Sequence, residues 1–296
     1  MEGLERPTAE MAETWEYGVE PGLTLRGGII DRGRSTLIHF LPGTAFACRL
    51  YWPFLSRLAE HYDLFWHDLH GHGESDDGGL EFRGWRFTVD AATAMMDRFG
   101  LRHGERRIVG MGHSYGGCMT LIMAAERPEL FGQLLLTDPF MVPESREVTY
   151  RSMMPTLVQR TRQRNPVWSD EAAVRSYLKA RLMFQDWHEE AVDAFIRYNM
   201  SPTDSGQLQL KCPPVIEAGV YDDVVDALWP SVDVLQTPTV ILSGDRTVPF
   251  FREGHDLAAR INPHVGLIRV AGGHNFMQER PEIIARQALD VLGASS

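Results

Sequence analysis

The chain has 296 residues, 44% hydrophobic and 23% charged, which supplies enough apolar material for one large core or one core carrying an insertion. A formal net charge of −11 argues against nucleic-acid and anionic-membrane partners, whose phosphates would be repelled. Three scattered cysteines, Cys48, Cys118 and Cys212, suit neither a disulfide frame nor a zinc site and read as reduced, buried residues of a cytoplasmic protein.

Taken in order, MEGLERPTAEMAETWEY carries early acids and no apolar stretch of the secretory kind, so residues 1–14 are expected to form a loose arm. No apolar run approaches the ~18 residues that span a bilayer. An antiparallel edge hairpin is expected around Trp15–Tyr17 and Leu25–Ile30. Six buried strands follow: TLIHFL (36–41), LFWH (64–67), RIVGMG (107–112), QLLLTD (133–138), TVILSG (239–244) and GLIRVAG (266–272). Helical apolar spacing in YWPFLSRLAEHY and WRFTVDAATAMMDRFG fills gaps between them. The pattern predicts an α/β fold, a mostly parallel eight-stranded sheet with helices on both faces. About a hundred residues separate the strands at 133–138 and 239–244, more than one crossover needs. Residues 141–225, with the amphipathic stretches SDEAAVRSYLKARLMF and EEAVDAFIRYNM, read as a mainly helical cap inserted into a core of 1–140 and 226–296.

The stretch VGMGHSYGGCM packs four glycines around Ser114. Gly112-His113-Ser114-Tyr115-Gly116 fits G-x-S-x-G between a predicted strand and a predicted helix at 117–127, the setting of a nucleophile elbow. Such a turn lifts Ser114 Oγ out of the sheet and aims the Tyr115 N–H at a bound carbonyl oxygen. In AGGHNF, His274 follows the last strand and could reach over the sheet edge to take the serine proton.

With these parts in this order the chain resembles the α/β-hydrolase family, over roughly residues 23–140 and 228–291. LPGT (41–44) resembles the family's oxyanion loop, with Pro42 where histidine is common, which implies Thr44 N–H as a second oxyanion donor. HDLHGHGES (67–75) is similar to the family's Asp-x-x-Gly-x-Gly-x-Ser loop. That accounts for His67, Asp68, His70 and His72 without a metal, and neither metal nor cofactor is expected. The usual place for the triad acid, three residues after Gly244, is Thr247. Asp245 lies two residues early. In some cap-bearing relatives, the haloalkane dehalogenase type among them, the acid follows the sixth strand; here that is Asp138, 24 residues after Ser114 (138 − 114). Asp138 is favoured and Asp245 stays as the alternative.

The resemblance implies a cofactor-free serine hydrolase that cleaves an ester, thioester or lactone through an acyl-enzyme. The apolar cap composition, with Phe140 and Met141 at its hinge, suits an apolar, medium-sized substrate. Carbon–carbon hydrolysis of a diketone and ligand binding by a receptor-like member of the fold stand as alternatives. A small molecule is the expected partner, and a homodimer stays open.

Overall fold

The computed structural model describes residues 7–104 and 106–293. The central sheet and its helices run in the order β1 (Glu13–Glu20), β2 (Leu23–Ile30), β3 (Thr36–Leu41), α1 (Trp52–Ala59), β4 (Asp63–His67), α2 (Gly84–Arg98), β5 (Arg107–His113), α3 (Ser114–Glu126) and β6 (Gln133–Thr137). An insert follows: α4 (Glu144–Arg162), β7 (Val167–Trp168), α5 (Glu171–Lys179), α6 (Glu189–Asn199), β8 (Met200–Pro202), β9 (Leu208–Leu210) and α7 (Pro214–Asp222). The chain then returns through α8 (Leu228–Val234), β10 (Thr239–Gly244), α9 (Pro249–Ile261), β11 (Val265–Val270), α10 (Phe276–Glu279) and α11 (Pro281–Leu292).

Eight strands form the central sheet in the order β1-β2-β4-β3-β5-β6-β10-β11. The hairpin β1–β2 and the pair β2–β4 are antiparallel, and the other neighbours are parallel. Burial explains the pattern. Every residue of β3 and β4 is buried, as continuous apolar strands covered on both faces should be, whereas the edge strand β1 exposes most of its residues. Successive side chains of a strand serve opposite layers. Ile38, Phe40, Val109 and Met111 pack with α1 and α11, while Leu37, Leu41, Ile108 and Leu136 pack with α2, α3, α8 and α9.

The insert leaves after β6 and is stitched to both layers: Val174, Leu178, Trp187 and Phe195 join the first, Val220 the second. Asp170 caps α5 by accepting from the Ala173 N–H at 2.9 Å. One feature departs from the helical expectation: β7, β9 and β8 make a three-stranded antiparallel sheet. Strands of two or three residues are too short to show a period in sequence.

The expectation of a loose arm fails where residues are described. Ala9 is buried, Trp52 Nε1 donates to Pro7 O at 3.2 Å, and Glu10 binds Tyr198 and Arg197 of the insert at 3.0 and 2.7 Å. Residues 1–6 of that expected arm lie outside the described residues. No helix among the described residues is long and apolar enough to cross a membrane.

Candidate active site

The turn between β5 and α3 is as tight as its glycines imply. A Cβ on Gly112 would lie 2.5 Å from Gly116 O, and one on Gly116 would lie 2.4 Å from Pro42 O. Both approaches are to backbone, so neither can yield cheaply. Ser114 itself is left-handed, with φ 51°. Of the four non-glycine residues with positive φ among the described residues, three lie here: Ser114, Asp138 (φ 46°) and Ala45 (φ 66°). Such backbone strain persists only where the surroundings over-determine it, and it gathers at functional sites.

The structure brings Ser114, His274 and Asp138 together. His274 Nε2 lies 2.9 Å from Ser114 Oγ, and His274 Nδ1 lies 2.6 Å from Asp138 Oδ2. An ionised carboxylate only accepts, so Nδ1 carries the proton and Nε2 is left to accept from the serine hydroxyl. Asp138 is fully buried at the end of β6. Its other oxygen, Oδ1, accepts from the Gly244 N–H at 2.9 Å, while Thr247 Oγ1 donates to Oδ2 alongside His274. Burial opposes its ionisation. The hydrogen bond and charge of His274, the charge of buried His255 and the Thr247 hydrogen bond outweigh this and hold Asp138 below the usual carboxylate range. Asp245 is not brought to His274. Its carboxylate accepts from the Gly272 N–H at 2.9 Å and its side chain is half exposed.

On the other side of Ser114 lies the loop after β3. Phe46 N–H closes a turn on Gly43 O at 3.2 Å, with Thr44 and Ala45 in its middle. Tyr115 lies in the first turn of α3, where backbone N–H groups lack intrahelical partners. Beneath the two runs a chain of hydrogen bonds that sequence reasoning missed. Gly43 N–H donates to Tyr51 Oη at 3.0 Å, Tyr51 O–H donates to His113 Nδ1 at 2.7 Å, and His113 Nε2–H donates to His274 O at 3.0 Å. Each direction follows from the backbone groups at the two ends. Burial, helped by the neighbouring His274, pushes His113 down to about 3, so it stays neutral and keeps this polarity. The signal in sequence was only that His113 sits inside the elbow.

Aromatic rings continue outward from His274. Phe251 lies 5.3 Å from the His274 ring, Phe140 lies 5.4 Å from Phe251, and Tyr150 on α4 lies 5.8 Å from Phe140. Phe140 thus reaches His274 through the Phe251 ring. Met141, expected beside it at the pocket, is wholly inaccessible, packed in the core with its carbonyl against Gly254 of α9. Met141 sits in the coil beyond β6, in the same apolar layer that Phe140 packs against from its accessible side.

The histidine-rich loop after β4 is held by buried hydrogen bonds. Asp68 accepts from the Cys48 and Glu74 N–H groups at 2.7 and 2.9 Å, bracing the loops after β3 and β4. Burial drives His67 and His72 down to about 3 and about 4, so both are neutral. Among the described residues no three His, Cys, Asp or Glu side chains are arranged to hold a metal ion.

The sheet order, the elbow and the strand-end positions of Asp138 and His274 define a hydrolase scaffold. The chain belongs to the alpha/beta hydrolase family, whose model matches residues 40–287. Over 270 residues, 89% of this chain and 90% of the relative, it is 22% identical to the 2-(acetamidomethylene)succinate hydrolase of Mesorhizobium japonicum. A crystal structure of E-2-(acetamidomethylene)succinate hydrolase shares the fold with a TM-score of 0.80 at 19% identity, covering 96% of this chain and all of that one. A stretch of 94 residues, 31% of this chain, is 35% identical to a type I acyl-CoA thioesterase of Penicillium roqueforti but spans only 21% of that protein. The thioesterase domain from the curacin biosynthetic pathway has the same fold, with a TM-score of 0.71 at 17% identity over 94% of this chain and 99% of the domain.

Proposed function

We propose that the protein is a serine hydrolase acting on an ester or thioester of an apolar, medium-sized acyl group. The observation that carries this reading is the continuous hydrogen-bond chain Ser114 Oγ, His274, Asp138. Ser114 Oγ attacks the acyl carbon as His274 Nε2 takes its proton. Asp138 holds the imidazole tautomer and stabilises the imidazolium. The Thr44 and Tyr115 N–H groups receive the oxyanion. Collapse of the tetrahedral adduct expels the alcohol or thiol, which leaves with the proton from His274. Water then repeats the sequence on the acyl-enzyme, releasing the acid and free serine.

The insert serves as a cap over this centre. The aromatic run Phe251, Phe140, Tyr150 favours an apolar acyl chain, and the partial likeness to a fungal acyl-CoA thioesterase agrees with thioester chemistry. A dicarboxylate of the kind that the bacterial relative's name implies would need a free cation. Arg246, on the loop after β10, is already bound to Asp186 and Glu279 at 3.1 Å each.

The test is fluorophosphonate labelling located by mass spectrometry, followed by a panel of p-nitrophenyl esters, acyl thioesters and ring-cleavage diketones. Labelling at Ser114 that is lost in Ser114→Ala, with turnover rising with acyl apolarity, is expected. Turnover of the diketones alone would replace the reading with carbon–carbon hydrolysis. An unlabelled, inactive protein would overturn it.

A further inference from the structure

The turn that carries Thr44 contains an unexplained expense. Ala45 occupies its third position at φ 66°, a place that favours glycine or asparagine, and the left-handed conformation costs an alanine about 1–2 kcal/mol. Something must hold it there, and the contact comes from the insert. Asn199, the last residue of α6, is buried. Its Nδ2 donates to Ala45 O at 2.9 Å, and its Oδ1 accepts from the Ala47 N–H at 3.4 Å. One amide thus brackets the strained residue from both sides across 154 positions of sequence. Asn199 is itself fixed, because its carbonyl accepts from the Lys211 N–H at 2.9 Å. On the near side of the turn, Tyr51 Oη holds the Gly43 N–H. Thr44 lies between the two clamps.

From this geometry we infer that Asn199 is a positioning residue for the reaction: the insert reaches the chemistry through this amide, which holds Ala45 left-handed and so aims the Thr44 N–H at the developing oxyanion. The inference rests on the serine-hydrolase reading above. Asn199 touches no reacting atom. It acts through the backbone of 45–47, and its effect belongs to the transition state rather than to substrate binding. Removing one oxyanion donor costs on the order of 10²–10³ in rate, so misaiming one should cost at least about tenfold.

The experiment compares wild type, Asn199→Ala, Asn199→Asp, Ala45→Gly and the double variant Ala45→Gly/Asn199→Ala. Readouts are kcat and KM on one ester, the inhibition constant of phenylboronic acid, which forms a tetrahedral adduct on the serine, and a thermal melt. Both Asn199 variants should lose about tenfold or more in kcat with KM nearly unchanged, and the boronate should weaken in step. Asn199→Asp keeps the size but sets a carboxylate against Ala45 O, so it reports even if the alanine variant folds poorly. In the Ala45→Gly background, where the turn needs no restraint, Asn199→Ala should cost clearly less than it does alone. A purely structural role would lower the melting temperature without separating kcat from KM and without that rescue. Folded Asn199 variants with wild-type kcat and boronate affinity would overturn this inference alone. A wild type that fluorophosphonate does not label and that has no activity would overturn the functional reading and this inference with it.

Discussion

The central sheet and the insert are held by different means. In the sheet half, β3 and β4 are buried along their whole length and the strand ends carry Ser114, Asp138 and the approach to His274. In the insert, the 19-residue α4 buries only Val158 and Thr161. It leaves Val148 83% and Met153 52% exposed and carries Pro155 in its interior, where a backbone donor is lost and the ring crowds the preceding turn. Few buried contacts and a solvated helix mark the low end of local stability. α4 and the chain just before it are held by packing along α7, by the Tyr150 ring against Phe140 and Phe250, by buried Met141 and Val142, and by polar contacts such as Trp229 Nε1 to Val142 O at 2.7 Å and Arg146 to Glu253 at 2.6 Å. Geometry that must be accurate is placed where packing is continuous. α4 is held along one side only and leaves the rest of its surface in solvent.

The comparison breaks first at the acid. Asp138→Asn should lower kcat/KM by about 10³–10⁴-fold, the scale expected when a histidine loses its anionic partner and takes the wrong tautomer. Asp245→Asn, which changes only a loop contact to Gly272, should stay within about threefold of wild type. Steady-state kinetics on one ester decides, and equal losses would mean that Asp138 does not have the role proposed for it.

A smaller effect should appear in acid. His67, His113 and His72 are depressed by burial to about 3, about 3 and about 4, against about 6.5 in the unfolded chain. Their stabilising contribution is complete above that unfolded value and drains away as pH falls toward the folded values. Between pH 6.5 and 4 the unfolding free energy should drop by up to about 1.4 kcal/mol per pH unit for each group. All three belong to the sheet half, so hydrogen exchange should show strands losing protection as pH falls while α4 is already open. Urea melts with a flat pH profile would contradict this.

The smallest effect is expected on α4. Met153→Ser with Leu157→Ser, both exposed, should shift stability by no more than about 0.5 kcal/mol. The same pair should raise KM for long-chain esters more than for acetate esters. A large loss of stability would show that α4 packs more firmly than its burial implies.

Much of the sheet was readable because buried parallel strands need unbroken apolar runs, and TLIHFL, RIVGMG and TVILSG are such runs bounded by turns. Ser114 and His274 were readable because their glycine neighbours answer to local crowding. The acid was harder. Spacing places both Asp138 and Asp245 at strand ends, but only the path of the backbone tells which carboxylate points at the imidazole. Tyr51 and Asn199 left no trace in sequence. Their partners are backbone groups, which look alike at every position, and Asn199 lies 154 residues from the carbonyl that it binds. Met141 was misread because composition marks it as apolar without saying whether it is buried in the core or open to the site.

Thr247 has a consequence for the history of the site. It stands where the resemblance put the family's usual acid, and its hydroxyl donates to Asp138, the proposed acid. Two neighbouring strand ends, β6 and β10, thus present adjoining sockets around one imidazole nitrogen, one filled by a carboxylate and the other by its donor. With the sockets in contact, a carboxylate could have changed strands during evolution through an intermediate bearing both or sharing a proton, without His274 or Ser114 having to move. On the proposed reading, the position of the acid in this scaffold is a matter of occupancy rather than of architecture.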